Sequence, residues 1–409
     1  MTEEFDVVII GAGPAGLFCA ANLAGLRVCI LEKMNLPGRK LLLSGSGQCN
    51  ITHAGSMGDY ALHFGDASHA AFLKPALRAL SNTDLLTFFE KRGMTFETTD
   101  AGKVFPTTRS ADDVLDVLLD ACDAAGVEIL YEERVESVKK DGERFVVSTA
   151  YGKYLARCLV VAAGGSSYPK TGSSGDGVRL SEMLGHSIVE PKEALTPVYA
   201  ENFRLADLSG LSFENVTLTI WRDGKKIGAN TNDLLITRFG FSGPCVLDAS
   251  RAMQAGDVLK ISFTQLLAEA VDALLVERCR KEGGRLVSNL LYGLGVPDRL
   301  VKSLIEEAEI AEDTKGSQLS AVSRKALVRL ITSYEVKIAH LGDFSISMAT
   351  AGGVSLAEVN KKTCESKLHP GLFFAGEVLD IDGDTGGYNL QAAFSTAYLA
   401  AQRIKAICA

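Results

Sequence analysis

Paired cysteines are missing from this sequence: its nine, at 19, 29, 49, 122, 158, 245, 279, 364 and 408, are odd in number, scattered and without a CxxC. That spacing argues against a disulfide framework and suits reduced thiols in a cytoplasm. An excess of basic charge is also lacking, since 42 Lys and Arg face 50 Asp and Glu for a net charge of −8. A surface that coats nucleic acid needs the opposite balance to release counterions from phosphates, so that role is left only to a local basic patch. No His pairs with Asp or Glu at a metal-ligand spacing, and no metal is expected. Repeats and low-complexity segments are absent. The opening Met1-Thr2-Glu3-Glu4 carries acids where an export signal is positive, so export is not expected. One run, Val7 to Leu26, is apolar over nearly the length that spans a bilayer, but its glycines and Pro14 tell against a membrane helix. The expectation is a cytoplasmic protein with no membrane partner.

At 409 residues the chain exceeds the ~250–300 that one core reaches, which predicts two or three domains. Hydrophobic residues at 47% and charged residues at 22% are those of a globular protein. Asp6–Ile10 has the apolar run of a buried parallel strand, and an apolar helical stretch follows to Gly25. Arg27–Leu31 reads as a second strand, which completes a βαβ unit. Residues 36–58, rich in Gly, Ser and Asn, read as a long functional loop rather than packed structure. Helical patterns follow near 70–80, 83–92 and 110–125, the last capped by Ser110. Ile129–Val138, Arg144–Thr149 and Cys158–Ala163 have strand character.

After Pro191 the texture changes. Val216–Ile220 and Leu234–Thr237, with Asp223-Gly224 as a tight turn, predict a small antiparallel sheet or barrel. From 264 to 332 the pattern is helical, broken at Gly283-Gly284 and Pro297. From Ala351 the opening texture returns, with Gly371–Gly376 as a strand and Asn389–Ile407 as a last helix. The predicted organisation is α/β: a discontinuous Rossmann-like domain, 1–195 and 348–409, interrupted by a β-barrel subdomain, 196–263 and 333–347, and a helical subdomain, 264–332.

Gly11-Ala12-Gly13-Pro14-Ala15-Gly16 lies between a strand and a helix. Its glycines permit a tight turn, close approach of a pyrophosphate, and close helix–strand packing. The helix start offers unpaired N–H groups to the anion. Glu32, 19 residues beyond Gly13 at the end of the next strand, is placed to accept from both hydroxyls of a ribose and disfavours a 2′-phosphate. No second GxGxxG follows a later strand. Leu159–Ala163, ending in Gly164-Gly165, instead resembles the segment that crosses back over the cofactor in glutathione-reductase-type FAD folds. In that comparison Ala375-Gly376-Glu377 is the position for the ribityl or pyrophosphate portion. Gly386–Gln391 opens the last helix, whose N–H groups would face the flavin N1–C2=O edge and stabilise charge on reduced flavin.

Gly38-Arg39-Lys40, Ser44–Asn50, Thr171–Gly177, Phe239–Pro244, Ala351–Val354 and Gly376-Glu377 with Gly387–Gln391 together resemble the BaiN/YhiN-type flavoproteins, also described as aminoacetone-oxidase-like, across nearly the whole chain. The resemblance implies a two-dinucleotide-binding-type, glutathione-reductase-like FAD domain with an inserted small β-barrel and helical subdomain. It also implies that Arg39, Lys40, Ser44, Cys49 and Asn50 lie along FAD, the cationic pair near its pyrophosphate. The remaining expected contacts are Gly11, Gly13, Pro14, Ala15, Gly16, Glu32, Lys33, Gly47, Val135, Ala163, Gly164, Gly376, Glu377, Gly387, Asn389 and Leu390. The chain departs from the family at Gln48, usually Arg, and at Arg238, usually His. Cys49 beside a flavin reads either as an acid or charge-transfer partner or as a small packing residue, and His53 either as a proton shuttle or as a structural loop histidine.

Three functions compete. The first is an FAD-dependent oxidoreductase on a small molecule, exchanging electrons with NAD(P)H or oxygen. The second is reduction of a uridine to dihydrouridine in large-subunit ribosomal RNA, motivated by Arg278, Arg280, Lys281 and Arg285 on the inserted helices. The third is a non-catalytic FAD-binding redox module.

Overall fold

In the computed structural model, which describes residues 2–409, the chain forms two compact units: residues 2–194 with Phe344–Ala409, and Leu195–Asp343. The first unit is built around strand β1, Thr2–Ile10. It runs parallel to β2, Val28–Leu31, on one side and to Lys153–Val161 on the other. A strand flanked on both edges and covered on both faces must be apolar throughout, and Val7–Ile10 are at most 5% exposed. The pleat sends Val7 and Ile9 into one core with Leu17, Phe18 and Phe394, and Val8 and Ile10 into another with Phe145, Leu159 and Phe374. Glu128–Leu130 extends the parallel sheet beyond β2, and Leu372–Phe374 adds a parallel strand beside Lys153–Val161. Val135–Asp141 and Arg144–Thr149 complete the sheet as an antiparallel hairpin.

Helix α1, Pro14–Ala21, and the last helix, Tyr388–Cys408, cover one face. Phe18 meets Phe394 edge-on at 5.1 Å between ring centroids, and burying each ring contributes about 1.5–3 kcal/mol.

Two expectations are corrected. Ile129–Val138 is not one strand, because Glu132 takes a left-handed backbone (φ 59°) and divides it, one half pairing with β2 and the other with the hairpin. Residues 36–58 are packed rather than loose. Leu41, Cys49, Ile51 and Thr52 are at most 1% exposed, and Thr52-His53 pairs with Lys103-Val104.

In the second unit Val198–Ala200, Gly240–Ser242, Lys225–Ile236, Ser212–Arg222, Val258–Ser262 and Tyr334–Leu341 close in that order into a six-stranded barrel. Arg222 pairs with Lys225, so Asp223 and Gly224, both at positive φ, make the two-residue turn. Val216, Leu218 and Ile220 alternate inward. Leu275, Leu304 and Ile331, from helices Ala268–Lys281, Asp298–Glu307 and Ala321–Thr332, join the same apolar cluster as Leu259, Ile261 and Val336 of the barrel. The barrel and the helical segment therefore share one core.

Candidate functional site

The glycines after β1 differ in what surrounds them. Gly11 has φ +101°, and a Cβ there would lie 2.7 Å from the Ala162 carbonyl. A Cβ on Gly16 would be driven into the Gly11 carbonyl, whereas one on Gly13 would meet nothing within 4 Å. Gly11 and Gly16 are thus required by packing, and Gly13 keeps space open in front of the helix start. Pro14 occupies the first turn, where no N–H is needed, and Gly13 caps α1 without a side-chain hydrogen bond. Glu32 Oε2 accepts from Ala12 N–H and Oε1 from Met34 N–H, each at 2.8 Å. Both carboxylate oxygens are held beside the turn and retain lone pairs for a sugar.

Gly11, Glu32, Lys33, Val135 and Ala163 line a common recess, with Asp176 in its wall. Lys33 is closed rather than open. Its Nζ meets Asp176 Oδ2 at 2.5 Å and Ser174 Oγ at 2.6 Å, and Arg134 reaches Asp176 Oδ1 at 3.0 Å. Burial alone would push the Asp176 carboxyl up, but the hydrogen bonds from Lys33 and Arg134 outweigh it and hold the group down at about 2.

The pair expected near the pyrophosphate separates. Lys40 Nζ binds Glu377 at 2.7 and 2.9 Å and Ser167 Oγ at 2.5 Å. Glu377 further accepts from Thr350 N–H at 2.9 Å and Gly165 N–H at 3.3 Å. Lys40 and Glu377 therefore anchor four segments to one another instead of presenting free charge. Arg39, half-buried, makes no ion pair among the described residues. Gly376 takes φ +76°, and a Cβ there would lie 2.9 Å from Ala15 Cβ, so the end of this strand packs directly on α1. Gly164 is likewise left-handed, near Ser173.

Leu41–Gly47 is a short helical turn kinked at Ser44, Gly45 and Ser46, and Gly47 is left-handed at φ +86°. Cys49 also has positive φ (57°) and no exposed surface, and burial pushes its thiol up to about 12. A buried thiol held in that form supplies no thiolate, which fits the packing reading of Cys49. With its NH2 toward the Thr52 and Val104 carbonyls, Asn50 accepts from Gly387 N–H at 3.2 Å and ties this loop to the start of the last helix.

His53 has both ring nitrogens engaged. Nε2 donates to the Ala101 carbonyl at 2.9 Å and Nδ1 accepts from Gly55 N–H at 3.0 Å. Burial moves its pKa down, which leaves a neutral ring stacked on Tyr388 at 5.0 Å. Those partners suit the structural-histidine reading, with both ring nitrogens bonded to backbone. Asn389 is also spoken for, exchanging hydrogen bonds with Gly383 at 2.8 Å each way. Leu390 packs against the core, and Gly387 caps the helix with φ +98° and no side-chain hydrogen bond.

Sequence reasoning missed a histidine here. His63 Nδ1 lies 3.0 Å from Asp384 Oδ2, and its ring stacks on Tyr388 at 4.1 Å. No spacing signal links residues 321 positions apart. It also missed that Arg109 donates to Gln48 at 3.0 Å.

These residues fit FAD. The open face of Gly13 would admit a diphosphate to the uncapped backbone N–H groups, and the fixed Glu32 carboxylate would suit the ribose.

The chain matches the model of the HI0933-like protein Rossmann domain over residues 5–403. It is 32% identical to the ribosomal RNA dihydrouridine synthase of Escherichia coli (strain K12), with 98% of both chains covered. Against the protein of that name from Haemophilus influenzae it is 33% identical over 99% of each. It is 28% identical to the 3-dehydro-bile acid delta(4,6)-reductase of Clostridium scindens over 96% of this chain and 97% of the other. Among solved structures, FrdA of E. coli quinol fumarate reductase aligns with TM-score 0.52 at 15% identity, covering 99% of this chain and 70% of the other. The 3-ketosteroid-delta4-(5alpha)-dehydrogenase of Rhodococcus jostii RHA1 aligns with 0.50 at 15% identity, covering 98% and 96%. At that identity the likeness speaks for the fold alone.

Proposed function

We propose, from the premise that this chain belongs to the HI0933-like family of Rossmann-domain proteins and is an FAD-dependent oxidoreductase, that it saturates a carbon–carbon double bond conjugated to a carbonyl, with NAD(P)H as electron donor. The observation that carries this reading is chemical. A delta(4,6)-reductase of a 3-dehydro-bile acid and a dihydrouridine synthase, both matched nearly end to end, perform one bond change: two hydrogens added across a double bond activated by a carbonyl. Bound FAD supplies a carrier of two electrons.

The chain's own residues bind and orient. The amides at the start of α1 would hold the diphosphate and Glu32, fixed by Ala12 N–H, would hold the ribose. Asn50 holds Gly387 and Asn389 holds Gly383, so that the positive end of the last helix has a fixed direction, which favours negative charge placed before it. Buried Cys49 and Leu41 exclude water behind the loop.

A second reading, favoured by the two relatives above 30% identity, takes the double bond to be that of a uracil ring in ribosomal RNA. Anaerobic mixing with NADPH or NADH should bleach the flavin band, and an enone should restore it. If neither nicotinamide bleaches the flavin while an amine does, the reductase reading fails. For the second reading, deletion of the gene should remove a dihydrouridine from large-subunit RNA, and an unchanged dihydrouridine content would exclude it.

A further inference from the structure

The barrel carries an aromatic feature that the FAD-binding residues do not use. Strand Val198–Ala200 lies between Gly240–Ser242 and Tyr334–Leu341, with Tyr199 opposite Gly240 on one side and His340 on the other. His340 stacks on Tyr199 at 4.3 Å and 19°, and Phe239, just before Gly240, lies at 6.0 Å and 22°. Three nearly parallel rings thus form a stack across neighbouring strands, with Tyr199 between Phe239 and His340. Gly240 permits this, because a Cβ there would be driven into the Val198 carbonyl and force the strands apart.

The outer rings of the stack reach solvent, while Tyr199 between them is half-buried. Phe239 is 56% exposed, and His340 and Arg238 are exposed as well. They border a recess of about 460 Å³, open to solvent on one side, within the range that holds a small ligand. Phe203 backs it, its ring edge-on to Phe241 at 5.2 Å. No residue lining the recess is a carboxylate. The Arg238 guanidinium sits 5.7 Å from the Phe239 ring centroid and makes no ion pair among the described residues. In a protein of net charge −8, a carboxylate-free recess with a free guanidinium is locally complementary to an anion. Flat faces together with one cation at their edge match a planar base joined to a phosphate, the pattern by which single strands are held.

We propose that this recess on the barrel stacks a nucleobase of a single RNA strand, with Phe239, Tyr199 and His340 as the platform and Arg238 on the adjoining phosphate. The assignment rests on the RNA reading of the substrate and deepens it by giving the strand a place on the second unit.

The test is fluorescence anisotropy of a short labelled oligouridylate with the FAD-loaded protein and its variants, at several salt concentrations. Phe239→Ala weakens binding about 5- to 150-fold, the range for loss of one stacked base, and leaves the salt dependence unchanged. Phe239→Trp restores binding. Arg238→Gln lowers the slope of log affinity against log salt by about 0.7, the value for one phosphate of a single strand. Flavin reduction by nicotinamide stays as in the parent protein for all three. Equal affinity of the parent, Phe239→Ala and Phe239→Trp proteins overturns the platform, as does equal competition by inorganic polyphosphate, which has no bases. Neither result touches the dihydrouridine content of cellular RNA, so the platform can fall while the RNA reading stands. Conversely, unchanged dihydrouridine in the deletion strain removes the RNA reading even where the recess holds the oligonucleotide.

Discussion

Lys40 Nζ lies 2.7 Å from Glu377 Oε2, a contact between residues 337 positions apart in sequence. Their side chains are 26% and 21% exposed, so water screens the pair only in part. Removing Lys40 leaves the Glu377 carboxylate with the amides of Gly165 and Thr350 and the Ser167 hydroxyl. Replacing Glu377 by Gln leaves the ammonium with Ser167 and one uncharged amide oxygen in place of a carboxylate. Each of Lys40→Met and Glu377→Gln is expected to lower unfolding free energy by about 1.5–3 kcal/mol, the scale of a hydrogen bond to a charged group. The double variant should lose less than the sum. Urea unfolding of all four proteins measures the coupling, and additivity within about 0.5 kcal/mol would show that the contact carries nothing.

Thiol labelling separates buried from reachable cysteines. Cys19, Cys29, Cys49, Cys122, Cys158, Cys245 and Cys364 are buried, while Cys279 and Cys408 are partly exposed. Burial also pushes the Cys49 and Cys122 thiols up to about 12, so neither offers a thiolate at neutral pH. A chromogenic disulfide reagent at pH 8 should titrate no more than two thiols in the native protein and all nine in denaturant. Cys49→Ala should keep nicotinamide-driven flavin bleaching. Rapid native labelling of Cys49, located by peptide mapping, would return it to the list of reactive groups.

The parts of this molecule that sequence makes legible are those in which a local pattern has a local cause. The glycines at 11, 13 and 16 followed by Glu32 mark a strand, a turn and a helix within thirty or so residues, and the Asp223-Gly224 turn follows from backbone conformation alone. What stayed hidden depends on tertiary placement. Nothing around Lys40 says that its partner is Glu377 rather than a phosphate, and nothing near Lys33 points to Asp176, 143 positions away. Loop composition at 36–58 has the polarity of solvent-facing chain, yet Leu41, Cys49 and Ile51 are drawn into the core beneath α1. The strand pattern of 129–138 is real in hydropathy, but a single left-handed Glu132 redirects it.

Asp176 makes stability depend on acid. Its folded value, about 2, lies below the ordinary 3.8, because the bonds from Lys33 and Arg134 more than offset burial. A depressed carboxyl contributes stability that is fully present above 3.8 and is lost as pH falls through about 2. The gap corresponds to about 2 kcal/mol for a group only 8% exposed. Asp176→Asn should therefore be less stable than the parent at neutral pH, and the difference should shrink between about pH 4 and pH 2. Urea titrations across that range measure it, and a difference that stays constant down to pH 2 would exclude the ion pairs as its source.

Gly13 and Gly16 sit three residues apart, and alanine at each should give opposite phenotypes. At Gly16 the new Cβ strikes the Gly11 carbonyl, a backbone atom that cannot swing aside, so α1 must lift from the sheet. Overpacking of this kind costs about 1–3 kcal/mol or more, and Gly16→Ala should lose stability with or without FAD. At Gly13 the backbone has φ −80°, open to any residue, and the added methyl meets no protein atom. The apoprotein should keep its stability to within about 1 kcal/mol. The methyl instead occupies the space reserved for the diphosphate, so FAD affinity should fall at least about tenfold, or by about 1.4 kcal/mol. Apoprotein unfolding together with FAD titration distinguishes the two effects. If Gly13→Ala binds FAD as tightly as the parent, the diphosphate does not approach this turn, and the placement of FAD over α1 must be abandoned.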